Sequence, residues 1–286
     1  MRILSKNFSK KEIGSVKFGI ELDDGNVIEA VTFPKDNYTV CLSSQVGCAI
    51  KCVFCESGKD GFIRNLSAEE MLCQFKLVNN YVMKKINKKG IGYIVIMGIG
   101  EPLLNYKNVT EFIKKIKKTK RINIALCTVG IINNIYKLIK EKIPVKLCVS
   151  LHATDNEQRK KIIPAANKYN FDDLITAIHA FEKKGNSDSP VDIHYLIFNQ
   201  LNDGQSDANK MAKLFRGGNF RIIVKSVCPV EDQRYFETSS KNKTKFIQIL
   251  KKNKINHYSS LSRGREIKAG CGQLRRYLIG IKQKNG

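Results

Sequence analysis

Three cysteines within eight positions, Cys48-Ala-Ile-Lys-Cys52-Val-Phe-Cys55, form the densest patch of chemistry in this chain. In a loop that follows a strand, three thiolates so close in sequence can wrap one iron–sulfur cube. A structural zinc site needs a fourth ligand, usually a second C-x2-C or an H-x3-5-H pair. The four histidines, His152, His179, His194 and His257, are isolated and supply no such pair. Three cysteines on a four-iron cluster leave one iron open to an outside ligand, which is the mark of a catalytic site rather than a closed one. The expected cofactor is therefore a [4Fe-4S] cluster on Cys48, Cys52 and Cys55.

A second segment, Gly98-Ile99-Gly100-Glu101-Pro102, follows directly on the apolar strand that ends at Met97. It falls at the carboxyl edge of a parallel sheet, where ligands bind in such folds. Leu103 stands where a dinucleotide fingerprint needs its third glycine, and no Walker A pattern exists. Alone, the segment reads as an ordinary Gly-Pro strand exit. Likewise His152, a lone histidine at a strand end, reads as a packed or capping residue, and Glu29 as a surface strand carboxylate. Cys73 and Cys148 read as core thiols, since free cysteine is often buried.

The elements that must position these groups follow from hydrophobic periodicity. Val16–Leu22 and Val27–Phe33 flank the turn Asp23-Asp24-Gly25-Asn26, and Tyr38–Leu42 follows Pro34, so residues 1–45 read as a small N-terminal β extension. Ser67 is an N-cap with Glu70 at the capping-box position, opening a helix that reaches Lys85. Beyond it, strand patterns at 93–97, 122–127, 145–151, 191–197 and 220–224 alternate with helical patterns at 108–118, 130–140, 155–162, 171–184, 203–214 and 241–252. Such β-α alternation implies parallel strands covered by helices, an α/β domain over 46–286. Five or six units are too few for a closed eight-stranded barrel and suit an open, partial one.

Composition sets the class. With 286 residues, 42% of them hydrophobic, the chain can bury a sizeable core. The net charge is +24, which favours a polyanionic partner, although lysine spread thinly over a surface produces the same sum. Nine cysteines, an odd number in a long chain, argue against a secreted disulfide framework and for metal or thiol chemistry in a reducing compartment. No apolar run is long enough to span a bilayer and no signal peptide opens the chain, so a cytoplasmic protein without a membrane partner is expected.

The cysteine spacing and the glycine segment together resemble the radical S-adenosylmethionine (SAM) superfamily. That resemblance implies a partial (β/α)6 barrel. It implies SAM bound through its amino and carboxylate groups to the open iron, and cleaved to a 5′-deoxyadenosyl radical. Gly100 and Glu101 would receive the SAM ammonium group, and a reductant such as flavodoxin or ferredoxin would supply the electron.

Further segments resemble one branch of it, the radical SAM RNA adenine methyltransferases of the RlmN and Cfr family. These are Cys41-Leu-Ser-Ser-Gln-Val-Gly-Cys48, Gly61-Phe-Ile-Arg-Asn-Leu66, Gly100-Glu-Pro-Leu-Leu-Asn105, Val149-Ser-Leu-His-Ala153, Asn202-Asp-Gly204 and Arg263-Gly-Arg-Glu-Ile-Lys-Ala-Gly-Cys271-Gly-Gln-Leu274. Carbons 2 and 8 of adenine are electron-poor and cannot attack a SAM methyl group directly. The resemblance implies that Cys271 is first methylated, and that a radical formed on that methyl group adds to the ring. Cys41 would then resolve the adduct, leaving a Cys41–Cys271 disulfide, with Glu29 as the base that takes the ring proton. Ser150, Leu151 and His152 would lie against SAM, as would Cys127 and Cys228, which replace a serine and an asparagine of the family. A thiol donates hydrogen bonds poorly, so SAM affinity or pocket geometry is expected to differ. Arg263, Arg265, Arg275 and Arg276 would contact phosphates.

The family carries an accessory RNA-contacting domain ahead of the Glu29 strand, where this sequence has about fifteen residues before Val16. A short form lacking that domain is therefore expected. The expected partner is RNA, 23S ribosomal RNA or transfer RNA, and the expected state is a monomer. Two other readings remain: a radical SAM enzyme acting on a small molecule or peptide, and a non-catalytic, metal-stabilised RNA-binding protein.

Overall fold

The computed structural model describes all residues except 35–37, 120–121, 229, 231–235, 261–262, 271, 276 and 279–286. Its contacts group the chain into two compact units, the first made of 1–49, 56–125 and 264–286 and the second of 50–55 and 126–263. The first unit gathers segments from both ends of the chain.

In the first unit, β1 (Arg2–Phe8), β2 (Val16–Glu21), β3 (Asn26–Phe33) and β4 (Thr39–Leu42) lie side by side in that order. All three pairings are antiparallel. A hairpin of β5 (Gln45–Gly47) and β6 (Phe62–Asn65) encloses the cysteine loop in sequence, and α1 (Ala68–Lys85) follows. The expected capping box is present: Ser67 Oγ accepts from Glu70 N at 3.0 Å, and Glu70 accepts from Ser67 N at 2.8 Å. Helix α1 buries Met71, Phe75, Val78 and Val82, spaced by fours and threes along one stripe. Then β7 (Tyr93–Ile96) pairs parallel with β4, α2 (Tyr106–Thr119) follows, and β8 (Asn123–Thr128) begins. Phe18, Ile20, Ile28, Ala30, Val40, Leu42 and Ile94 alternate along β2, β3, β4 and β7 and are fully buried. By the two-residue period, the opposite face carries Lys17, Glu29, Val31 and Cys41.

The second unit starts from the last residues of β8, and its later strands pair in parallel. In chain order it contains α3 (Ile132–Lys140), β9 (Lys146–Ser150), α4 (Asn156–Ile162), α5 (Phe171–Lys184), β10 (Val191–Ile197), α6 (Gln205–Phe215), β11 (Phe220–Ser226), α7 (Ser240–Lys252) and β12 (His257–Ser260). The strands pair β9–β10–β11–β12, as the α/β alternation predicts. Leu147, Val149, Ile193, Tyr195, Ile222 and Val224 form one buried apolar face. The other face holds Lys146, Cys148, Ser150, Asp192, His194, Arg221 and Lys225, an unusually polar row for a parallel sheet. The chain returns to the first unit through β13 (Tyr277–Leu278), antiparallel to β3.

Four strands, β1, β5, β6 and β12, lie outside the expected boundaries, as does the short β13. Strand β1 is an edge strand with an exposed, polar sequence, so it has little periodic signal. Among the described residues no helix is long and apolar enough to cross a membrane.

Candidate active site

The cysteine loop leaves a clamped hairpin. Gly47 has φ +75°, and a Cβ there would sit 2.0 Å from the Gly61 carbonyl oxygen, so only glycine lets the two arms close. The Cys48 N–H donates to that same carbonyl at 3.0 Å, fixing the loop at its base. Farther along, the Cys55 N–H donates to Cys52 O at 3.1 Å, a tight turn. All three cysteines are thiols rather than disulfide halves. A set of three thiols on one short anchored loop fits an iron–sulfur cluster and falls one ligand short of structural zinc.

In the first unit Glu29 is 6% exposed. Lys17 Nζ lies 2.8 Å from its Oε1, and the Arg275 N–H donates to its Oε2 at 3.0 Å. Burial pushes the Glu29 carboxyl above the ordinary range, against the pull of Lys17 and of the Arg275 amide. Cys41 pairs with Val31 across β3 and β4, so its side chain shares the face of Glu29 at the diagonal position. The segment after Gly264 closes over this region. The Glu56 N–H donates to Gly272 O at 2.7 Å, and Ser57 Oγ donates to Leu274 O at 2.6 Å. The residue that follows Cys55 is thus tied to the residue that follows Cys271. Cys271 itself, with Arg276, lies outside the described residues.

The glycine segment is built as a bare backbone edge. Gly100 has φ +107°, and a Cβ would meet the Gln45 side chain at 2.6 Å. Gln45 Oε1 accepts from Glu101 N at 2.8 Å, and Ile99 O accepts from Ser44 N and Gln45 N. Glu101 is 2% exposed, and its Oε1 accepts from Leu103 N at 2.9 Å. A bare backbone beside a buried carboxylate suits the ammonium end of an amino acid such as SAM.

In the second unit Phe54, between two of the loop cysteines, meets the His152 ring edge-on at 4.9 Å between centroids. His152 has φ +57°, a left-handed backbone uncommon for a residue with a side chain. Its Nδ1 accepts from Leu196 N at 3.0 Å, so the ring proton belongs on Nε2. Burial and nearby positive charge drive this imidazole down to about 3, so it is neutral. Asn202, fully buried, locks the turn: its Nδ2 donates to His152 O and Leu196 O at 2.8 Å, and its Oδ1 accepts from Phe198 N at 2.7 Å. The Leu151 and His152 N–H groups both donate to His194 O, at 3.1 and 3.3 Å. Ser150 pairs with His194 across β9 and β10. Cys127 and Cys228 are both buried, and Cys127 Sγ, Cys148 Sγ and a ring nitrogen of His194 lie within 4.8 Å of one another.

Arg275, expected to contact phosphate, holds Asp60 in the first unit: Nε and Nη2 reach its carboxylate at 2.8 and 3.0 Å. Its Nη1 lies 3.7 Å from Glu56. Two acidic residues just past the cysteine loop therefore take up its charge. Cys148 is buried, as read from the sequence, and has a second thiol and an imidazole beside it, whereas Cys73, also read as a core thiol, is half-buried. Sequence reasoning missed Lys17 and His194, although each is a polar residue inside an otherwise apolar strand pattern, which is a usable signal. Asn202 stands in a quoted motif, but its role as a bridge between three backbone groups needed the fold.

Residues 42–214 match the Radical SAM superfamily. The chain is 38% identical over 282 residues to the probable dual-specificity RNA methyltransferase RlmN of Thermotoga petrophila, covering 96% of this chain and 79% of that protein. It is 39% identical over 281 residues to the probable dual-specificity RNA methyltransferase RlmN of Pseudothermotoga lettingae, with the same coverage of 96% and 79%. A radical SAM methyltransferase from Sphaerobacter thermophilus superposes with a TM-score of 0.89 at 30% identity, over 95% of this chain and 80% of that one. The loop of three thiols, the glycine edge and this likeness over nearly the whole length agree, and the chain belongs to the radical SAM superfamily and, within it, to the RlmN family of RNA methyltransferases.

Proposed function

We propose that the chain methylates an adenine carbon, C2 or C8, of ribosomal or transfer RNA through an S-methylcysteine on Cys271. A [4Fe-4S] cluster on Cys48, Cys52 and Cys55, together with SAM, supplies the methyl group and the radical that activates it. Gly100, Glu101, Ser150, Leu151, His152, Cys127 and Cys228 hold SAM. Cys271 accepts the methyl group as a thiolate and carries the carbon to the ring. Glu29 takes the ring proton, and the Cys41 thiolate attacks the Cys271 sulfur. The ring adduct gives up one electron, which the oxidised cluster would take, along with the proton that Glu29 removes. The Cys41 attack then forms the S–S bond and breaks the bond from sulfur to the transferred carbon, which takes up a proton as the methylated RNA is freed. A flavodoxin or ferredoxin provides the electron, and the protein acts as a monomer in the cytoplasm.

The observation that carries this reading is the shared face of Glu29 and Cys41, with the Arg275 amide, four residues beyond Cys271, bonded to the Glu29 carboxylate. A base with a raised pKa is suited to proton transfer near neutral pH. The +24 charge supports an RNA substrate, and binding is expected to weaken steeply with salt.

The test is Cys41→Ala in anaerobic reactions with RNA. Its Cys271 is still methylated and attacked, but no thiolate releases the product. RNA then accumulates covalently on Cys271, as a slow-migrating band that nuclease collapses and a nucleotide-bearing tryptic peptide in mass spectrometry. Turnover by Cys41→Ala at the wild-type rate, with no methyl or nucleotide adduct on Cys271, overturns the proposal.

A further inference from the structure

We infer that Cys127, Cys148 and His194 form a second metal site, separate from the cysteine loop, that takes one soft divalent cation of the Zn2+ class. The three ligand atoms lie within 4.8 Å of one another, one from each of β8, β9 and β10 of the second unit. Cys148 pairs with Asp192 and Ser150 with His194, so Cys148 and His194 are diagonal neighbours on the polar face of β9 and β10. Cys127, Cys148 and His194 are 6%, 4% and 8% exposed, so hydrated hard cations such as Mg2+ are disfavoured.

The donor set selects the ion. Two thiolates and one imidazole prefer Zn2+ or a similarly soft cation over oxygen-seeking metals. With Zn–S near 2.3 Å and Zn–N near 2.0 Å, tetrahedral ligand atoms sit roughly 3.5–3.8 Å apart. The group therefore has to close by about 1 Å, which side-chain torsions on neighbouring strands can absorb. Binding releases two thiol protons to solvent, and two thiolates then cancel the charge of the dication inside a buried site. Asp192, the nearest acid in register, is already held by Lys146 and Arg221, each at 2.8 Å. Three protein donors leave the fourth corner of a tetrahedral ion to a small outside ligand such as water.

The position gives the site a consequence. The His194 carbonyl holds the Leu151 and His152 amides, so a cation drawing on the His194 ring acts on the strand end next to it. Cys127 is also a proposed SAM contact, so cation and SAM compete for one side chain. The inference stands on the geometry of the second unit and not on the methyl-transfer reading, and its primary readout is metal content.

The experiment uses the full chain with its iron–sulfur cluster reconstituted under anaerobic conditions. It is dialysed against Zn2+ buffered by a weak chelator, and iron and zinc are counted together. One zinc per chain is expected with iron unchanged, and X-ray absorption at the zinc edge should show two sulfurs and one nitrogen from the protein. In Cys148→Ser and in His194→Gln the zinc affinity should fall at least tenfold while iron stays. Cys127→Ser serves as a third variant if either of these fails to fold. Equal zinc retention in wild type and variants, or zinc gained only as iron is lost, overturns the assignment. So does a Cys127–Cys148 disulfide in protein that takes up no zinc.

Discussion

In the first unit the buried acid at the candidate site is paired with a cation, Glu29 against Lys17 at 2.8 Å. In the second unit the corresponding groups are uncharged: burial holds His152 and His194 as neutral imidazoles, beside the thiols of Cys127 and Cys148. Both units use a sheet with an apolar face turned to the core. They differ in what the other face carries. A buried carboxylate with a cation beside it stays poised to move a proton, whereas neutral imidazoles and thiols serve as hydrogen-bond anchors or metal ligands. Under the proposed function, acid–base work falls to the first unit and holding work to the second.

The largest expected effect is at the cysteine loop. Cys48→Ala, Cys52→Ala and Cys55→Ala should each remove most of the iron–sulfur absorbance and reduce SAM cleavage to background. Visible spectra and release of 5′-deoxyadenosine measure both, and a full cluster in any variant breaks the ligand assignment.

Next in size is Lys17→Met. Removing one partner of a buried ion pair costs about 3–5 kcal/mol while the other stays charged. Glu29 has a raised pKa, so the folded state binds its proton more tightly than the unfolded state, and its contribution to stability declines as pH rises through that pKa. Without Lys17 that pKa climbs further, so the loss should be large at alkaline pH and small in mild acid. Denaturant unfolding at both pH values checks this, and Lys17→Met with Glu29→Gln should recover most of the loss. A loss independent of pH means that Glu29 is not the partner concerned.

Asn202→Ala tests the second unit. It strips hydrogen bonds from His152 O, Leu196 O and Phe198 N, and unsatisfied buried groups cost about 1–3 kcal/mol each. Because Asn202 acts through the His152 turn, the KM for SAM should rise more than kcat falls, with cluster absorbance unchanged. Parallel losses in both constants indicate a merely structural role.

The smallest effect belongs to His152 itself. Its folded pKa of about 3 lies below the unfolded value of 6.5. Its contribution is therefore complete above 6.5 and lost as pH falls from there towards 3. The slope is at most about 1.4 kcal/mol per pH unit. His152→Asn should flatten that part of the pH–stability curve, and an unchanged slope assigns the proton uptake to another group.

Much of this was legible in the chain because it is local. The capping box at Ser67, the alternation in β2 and β3 and the α/β succession from Tyr93 onward need only neighbours in sequence. The cysteine loop is local too, since its chemistry follows from spacing alone. β1 was not legible, because its residues are exposed and their polarity carries no period. The pairing of Arg275 with Asp60 was not legible, because a cationic cluster in sequence says nothing about acids that approach from elsewhere.

By itself, the amino-acid sequence determined the cysteine loop, the glycine edge and the α/β class, since each depends on residue type and on separations of a few positions. Tertiary structure alone decided that Lys17 faces Glu29, that Asn202 locks the His152 turn and that Cys148 meets Cys127 and His194. The physical reason is strand register. Alternation says which residues share a face of one strand, but shifting a neighbouring strand by one residue exchanges every partner across the pair. Only the folded sheets set that shift.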